Sequence, residues 1–257
     1  MNDQHEDEKV VGADRVLAVL IDLAGHPQGA TLDELAQRLH SSKPTVHRAL
    51  SALRRAHLAD QVSRGVYILG DEFIRLAFRH HSARPDATRI EPALRTLAQQ
   101  YGETAHYAVL VGTEVVYRAK VDPPIGSVRL TSEVGGRNPA HRTAVGKMLL
   151  SHELHSEAEL AKWLNGQPLE ARTPNSIITI PALWAELEAT RDRGYAIDDQ
   201  ENEIGINCVA VLADLGGPQI GAVSLSALAF RLPLEKLIVE VPTIQSIIAA
   251  SRGLPAA

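Results

Sequence analysis

The chain has one cysteine, two methionines and few aromatic residues, which make up 4% of it. A single cysteine excludes an internal disulfide and a cysteine-based zinc finger. The scarcity of rings argues against a stacking cage for a large aromatic ligand, although pocket size is not legible in a sequence and an aromatic acid stays open. No apolar run approaches the roughly 20 residues that a membrane span needs. The opening stretch MNDQHEDEKVV has no apolar core of a secretory leader. The expected location is the cytoplasm, with no membrane partner. An excess of basic charge is missing as well: the formal net charge is −5, so attraction to nucleic acid must come from a local patch. The 11 histidines are scattered without ligand spacing. His80 and His81, being adjacent, do not share a helix face. Neither a metal nor a cofactor is expected.

What is present is 257 residues of ordinary globular composition, 45% hydrophobic and 22% charged, enough for one large or two medium domains. Residues 1–9 read as a disordered charged tail. Val16, Val19, Leu20 and Leu23 recur with a helical period that Gly25 ends. Thr31 and Glu34 have capping-box spacing at the start of a second helix, whose apolar stripe is Leu32, Leu35, Ala36 and Leu39. A third helix follows, with Ser42 as its expected cap and Pro44 tolerable in its first turn. Two apolar runs around Ser63-Arg64-Gly65 read as a β-hairpin. A short helix from Asp71 is broken at Arg84-Pro85-Asp86, which marks a boundary. Beyond it come a helix over 87–102, a strand pair around Gly112-Thr113, helices over 144–151 and 181–194, strands over 206–214 and 219–228, and a final helix from about Pro233. Strands and helices mix without βαβ alternation, so the expected class is α+β around an antiparallel sheet. The expected domains are a DNA-binding unit over 10–70, a linker helix over 71–85 and a second domain over 86–257.

The third helix lies in HSSKPTVHRALSALRRA, residues 40–56. At about 100° per residue, Val46, Ala49, Leu50 and Leu53 face one way. Arg48, Ser51 and Arg55 face the other, flanked by Lys43, Thr45, His47 and Arg54. Between Arg38 and Arg64 the only acid is Asp60. A capped helix, a tight turn, a helix with a cationic outer face and a hairpin make a winged helix-turn-helix. The major groove admits such a helix, Arg can pair bidentately with guanine, and Thr or His reaches base edges. Residues of a first turn suit phosphates. The expected DNA-contacting set is Thr31, Ser42, Lys43, Pro44, Thr45, His47, Arg48, Ser51, Arg55 and Arg64. The plain alternative is a solvated basic helix. His57 must turn the chain into the wing, a place where Gly is usual.

These segments, TLDELAQRL, KPTVHRALSAL and YILGDEFIRLA, resemble the DNA-binding domain of the isocitrate-lyase-regulator (IclR) family of bacterial transcription factors. In the second half, YGETAHYAVLVGTEVVYRAKVD, VGGRNPAHRTAVGKMLL and RDRGYAIDDQENEIGINCVAV resemble three blocks of the same family, in order. The resemblance spans about residues 10–232. Asn207 departs from an Arg common before the cysteine, Pro44 from a Ser and His57 from a Gly. The resemblance implies an N-terminal winged helix, a linker helix and a C-terminal effector domain similar to GAF and profilin-like folds. It also implies homodimers or dimers of dimers on palindromic double-stranded operators. The implied role is control of a catabolic operon by a small organic acid, as a repressor or, alternatively, as an activator answering to an aromatic acid.

For the second domain, the residues themselves say less. Ser224 and Ser226 flank Leu225 on a strand, so both hydroxyls point to one face. Cys208 lies in an apolar strand and reads as a small core residue. Asp198 opens DDQENE, solvated surface by composition. The amides of Ala144 and Val145 open a helix, and helix N-termini hold anions. The resemblance implies that Ala144, Val145, Asp198, Cys208, Ser224 and Ser226 line the effector pocket. Amides and hydroxyls there suit the carboxylate of a small oxo- or hydroxy-acid, and Asp198 suits a hydroxyl donor.

An enzyme is the competing class. Cys208, His141 and Asp198 can be drawn as nucleophile, base and orienter, but an apolar strand raises rather than lowers a thiol pKa. The Gly146-Lys147 pair lacks the remainder of a phosphate loop. No enzymatic activity is expected. A hydrolase and a ligand-binding module that signals only through protein partners remain the distant alternatives.

Overall fold

The computed structural model describes residues 12–82, 85–123, 130–217 and 219–250. The tail expected over 1–9 and residues 83–84 of the expected linker lie outside the described residues. The chain divides into two compact units, 1–83 and 84–257.

The first unit begins with α1 (Gly12–Ala24), which buries Val19 and Leu23. After the short strand β1 (Ala30–Thr31), helix α2 (Leu32–Arg38) is held by the expected capping box. The Thr31 amide donates to Glu34 Oε2 at 2.7 Å, and the Glu34 amide donates to Thr31 Oγ1 at 3.2 Å. Helix α3 (Lys43–Arg55) carries Pro44 in its first turn and buries Val46, Ala49, Leu50 and Leu53, the stripe read from the sequence. Ser42 sits at the cap position, but its hydroxyl caps no amide and instead lies 2.8 Å from Thr45 Oγ1. The hydroxyl pair satisfies itself and leaves the first-turn amides of α3 without a side-chain acceptor. Strands β2 (Ala59–Ser63) and β3 (Val66–Leu69) form the expected hairpin, turned at Arg64-Gly65 with Gly65 at φ 81°. The sheet order is β1-β3-β2. Helix α4 (Asp71–Ser82) leaves Ile74, Leu76 and Phe78 exposed.

His57 does make the turn from α3 toward the wing. It adopts φ 58°, its amide donates to Arg54 O at 3.0 Å, and the Leu58 amide donates to Leu53 O at 2.9 Å. This is a Schellman ending, which normally places Gly in the left-handed position. His40 closes α2 in the same way at φ 45°.

The second unit opens with α5 (Pro85–Tyr101). Pro85 therefore starts a helix rather than only breaking one, because a first-turn residue has no use for its missing amide hydrogen. Strands β4 (Thr104–Val111) and β5 (Glu114–Val121) pair around Gly112, at φ 63°. Next come β6 (Arg137–Pro139), a 3-10 turn (Ala140–Arg142), α6 (Ala144–Glu153), α7 (Glu157–Leu164) and α8 (Ile180–Arg193). Strands β7 (Ala196–Asp199), β8 (Ile206–Ala213) and β9 (Gly221–Leu228) precede α9 (Leu234–Val239) and α10 (Val241–Ala250). The single final helix expected from Pro233 is thus two, with Pro242 in the first turn of the second.

The six strands run antiparallel in the order β6-β5-β4-β9-β8-β7. Because alternate residues of a strand face opposite sides, the sheet separates two apolar cores. One packs α6, α7 and α8 on Ala108, Leu110, Cys208, Ala210 and Ala222. The other packs α5, α9 and α10 on Tyr107, Val109, Val209, Val211 and Val223. The protein is α+β. Among the described residues no helix is long and apolar enough to cross a membrane.

Candidate functional site

Two places in the molecule gather chemistry-bearing side chains. The first is the outer face of α3. Lys43, Pro44, His47, Arg48 and Arg55 are exposed there, Thr45 and Ser51 are half-buried, and Arg64 is exposed at the hairpin turn. Most of these groups are left for a partner. Arg48 has only a long contact to Thr45 Oγ1, at 3.5 Å, and Lys43 meets Asp33 at 2.8 Å with both side chains exposed. An exposed pair of this kind is worth at most about 1 kcal/mol and yields to a stronger anion. Among the described residues Arg55 and Arg64 make no ion pair. All four expected hydroxyls are engaged within the fold, Ser42 and Thr45 with each other. Thr31 is taken by the capping box, and Ser51 Oγ donates to His47 O at 2.8 Å. Arg38 is held by Asp22 at 2.7 Å, on the side of the unit that α1 supplies.

The second place is a cavity of about 280 Å³ in the second unit. Its walls include all six residues that the sequence reading singled out there: Ala144, Val145, Asp198, Cys208, Ser224 and Ser226. Strand register explains how residues far apart in sequence meet. Asp198 on β7 pairs with Cys208 on β8, and Cys208 with Ser226 on β9. The three side chains stand abreast across adjacent strands, each step about 4.8 Å. Ser224, two residues along, pairs with His106 on β4 and projects to the same face. Facing this polar row is the start of α6. Thr143 Oγ1 accepts from the Gly146 amide at 3.1 Å, and the Ala144 and Val145 amides have no acceptor among the described residues. Gly146 fixes that approach, since a Cβ there would come within 2.1 Å of the Ala140 carbonyl oxygen.

The electrostatics of the cavity follow from burial. Asp198 is 3% exposed, and desolvation pushes its carboxyl up to about 7, although Lys147 and the amides of Glu201 and Asn202 work against the rise. Those amides reach Asp198 Oδ1 at 2.7 and 3.3 Å. Asp198 is therefore no solvated surface residue, as its acidic neighbours suggested. It faces inward from an edge strand, while Asp199 beside it is exposed. Beneath it, fully buried Lys147 is ion-paired with Glu201 and lies 3.7 Å from Glu186.

His106, which sequence reasoning missed, sits among the serines: Nε2 is 2.8 Å from Ser132 Oγ and Nδ1 is 3.5 Å from Ser226 Oγ. Burial first, then the nearby Lys120 charge, push it down to about 3, so it is a neutral ring with one donor and one acceptor. Tyr117 and Asn138 complete that wall, with the Asn138 amide donating to Tyr117 Oη at 3.3 Å. The periodic placement of His106 on an otherwise apolar strand, at the parity of Ala108 and Leu110, was the available signal.

The arrangement does not support nucleophilic chemistry. Burial pushes the Cys208 thiol well up, and its Sγ–H donates to Ser226 Oγ at 3.2 Å. His141 is engaged elsewhere, 3.2 Å from the Glu170 carbonyl.

Comparison with known proteins finds matches to both units of the chain. Residues 12–63 match the model of the IclR helix-turn-helix domain, and residues 84–252 match that of the bacterial transcriptional regulator IclR C-terminal domain. The chain is 29% identical over 233 residues to the DNA-binding transcriptional repressor YiaJ of Escherichia coli, covering 88% of this chain and 82% of that one. The crystal structure of the Thermotoga maritima IclR superposes with a TM-score of 0.77 at 26% identity, covering 93% and 96% of the two chains. The inducer-binding domain of an Acinetobacter PobR double mutant, solved with 3-hydroxybenzoic acid, gives 0.59 at 28% identity over 66% of this chain and 98% of that one. The chain belongs to the IclR family of bacterial transcriptional regulators.

Proposed function

We propose that the protein is a DNA-binding repressor that works in the cytoplasm as a homodimer or dimer of dimers, and that a small organic acid in the cavity beside α6 controls it. The observation that carries the DNA half is the outer face of α3, which offers exposed cations and no acid while its inner face is locked into the core. In this reading Arg48, His47 and Thr45 meet base edges. Lys43, Ser42 and Pro44 at the first turn, with Thr31 nearby, lie along phosphates. Ser51, Arg55 and the hairpin Arg64 follow the flanking backbone. Two such helices would enter successive major grooves of a palindrome about 34 Å apart.

In the cavity, the free amides of Ala144 and Val145 and the hydroxyls of Ser224 and Ser226 hold the acid's carboxylate. Asp198 and Cys208 contact the rest of the molecule. Because no group of the cavity is an activated nucleophile, the site is read as a binding site and the protein as a non-enzyme. An effector can act only through different affinities for the DNA-competent and DNA-incompetent arrangements. A tenfold change in operator affinity amounts to about 1.4 kcal/mol.

The test is quantitative DNA binding to promoter fragments from the protein's own locus. Arg48→Ala is expected to weaken specific binding by about 1–3 kcal/mol and to relax preference at one base pair. Wild-type affinity in that variant would take α3 out of the groove. Ser224→Ala is expected to blunt the effector's influence on operator binding fivefold or more.

A further inference from the structure

We propose that the effector carries two acidic groups, the second held at the cavity rim by Arg142 and Arg172 together with the Asn202 side chain. This inference rests on the reading of the cavity as the effector site and narrows its ligand to a small dianion.

The argument starts from a comparison among arginines. In the effector-side unit nearly every described arginine has an anion or a carbonyl. Arg118 has Asp86, Arg137 has Glu114, Arg193 has Glu186 and Arg231 has Glu103. Arg95 pairs with Glu91, Arg89 donates to Leu215 O, and Arg191 donates to Ser151 O and Leu154 O. Arg142 and Arg172 are the exceptions. Arg142 is only 9% exposed, yet its guanidinium has one partner among the described residues, the neutral Asn202 Oδ1 at 3.0 Å from Nε. The Arg172 guanidinium has none, and both Arg172 and Asn202 line the cavity.

The two cations also oppose each other. Desolvation first, then the Arg172 charge, depress Arg142, and the smaller effects of the Glu170 and Asp198 charges act the other way. Glu133 and Glu203 also line the cavity, and among the described residues neither pairs with Arg142 or Arg172. Withdrawing a cation from water without pairing it is strongly unfavourable. Arg142 is buried in this way while Arg172, whose charge acts on it, is exposed, and an anion that both can fork onto relieves the buried cation. The first carboxylate of the ligand is already provided for at the Ala144 and Val145 amides. Arg142 immediately precedes Thr143, the cap of that same helix, and it meets the cavity wall through Asn202, to which its Nε donates.

The experiment is calorimetric titration of the full-length protein with straight-chain α,ω-dicarboxylates of three to six carbons, each against the monocarboxylate of equal length. At least one dicarboxylate is expected to bind tenfold or more tightly than its monocarboxylate. Arg172→Gln, on an exposed side chain with no structural partner, should cut that ratio at least threefold. The Arg142→Gln/Arg172→Gln pair should bring it within twofold of one. A phosphonocarboxylate series run alongside identifies the second group as phosphoryl if its members exceed the dicarboxylates and show the same arginine dependence. Equal binding of mono- and diacids by the wild type, or a ratio that survives the double substitution, overturns the inference while leaving the cavity reading intact. Failure of every acid to bind, or binding indifferent to Ser226→Ala, overturns the cavity reading and this inference with it.

Discussion

Asp198→Asn isolates the electrostatic strain stored in the cavity. Burial raises the Asp198 carboxyl from an ordinary 3.8 to about 7. Its folded-state pKa thus lies above the unfolded one. The stability linked to its proton is complete below about pH 4 and is lost as pH rises through about 7. The whole loss is on the order of 4 kcal/mol, at 1.36 kcal/mol per pH unit. An asparagine keeps an oxygen to accept from the Glu201 and Asn202 amides and does not titrate. Between pH 5.5 and pH 8 the wild type should therefore lose about 2 kcal/mol that the variant keeps. For a unit of this size that is about 4–8 °C in Tm. The quantity to read is the change in the Tm difference between variant and wild type across that range, since any constant effect of the amide cancels. Both tryptophans of the sequence, Trp163 and Trp184, lie in the effector-side unit and pack on its core. Their emission reports that unit alone in the full chain. A Tm difference that stays flat with pH, or moves in the wild type's favour as pH rises, would refute the reading of Asp198 as a carboxyl raised by burial.

Two further substitutions test the backbone. His57→Gly should stabilise the DNA-binding unit by about 1 kcal/mol, because glycine holds φ 58° without the Cβ clash; hydrogen exchange at the Leu58 amide would slow about fivefold, and faster exchange would contradict the account. Gly146→Ala should abolish a folded effector-side unit, since its Cβ would overlap the Ala140 backbone, and a native tryptophan emission maximum in that variant would show the contact to be soft.

Legibility from sequence divided along physical lines. The stripe Val46, Ala49, Leu50 and Leu53 was readable because a helix against one core repeats its burial every three to four residues. The hairpins at Arg64-Gly65 and Gly112 were readable because a tight turn needs a residue at positive φ. The edge strands β6 and β7 span only three and four residues and carry too little alternation to register, and α7 was not anticipated. Asp198 was misjudged by composition for the related reason that a short edge strand takes its polarity from the loop it runs into. Bringing Asp198 to Cys208 and Ser226 is a matter of strand register, to which only the family resemblance pointed. Arg142 and Arg172 escaped notice because an unpaired arginine is defined by what surrounds it in space, and the sequence around each is unremarkable.

Both proposed sites use a helix, and their surroundings should make them answer oppositely to salt. The cations Lys43, Arg48, Arg54 and Arg55 of α3 and Arg64 of the hairpin are exposed. If about three per protomer of a dimer neutralise phosphates, log affinity falls with log salt at a slope of about −5, or about a thousandfold between 50 and 200 mM. At α6 the helix start is buried, with Ala144 and Val145 each 2% exposed. Mobile ions cannot reach between those amides and a bound carboxylate, so screening over about 10 Å of solvent hardly applies. Acid binding measured by calorimetry from 50 to 500 mM potassium chloride should weaken by no more than about threefold over the range in which operator binding collapses. An acid affinity that falls as steeply as the operator's would mean that the ligand sits on the surface rather than in the cavity between β9 and α6.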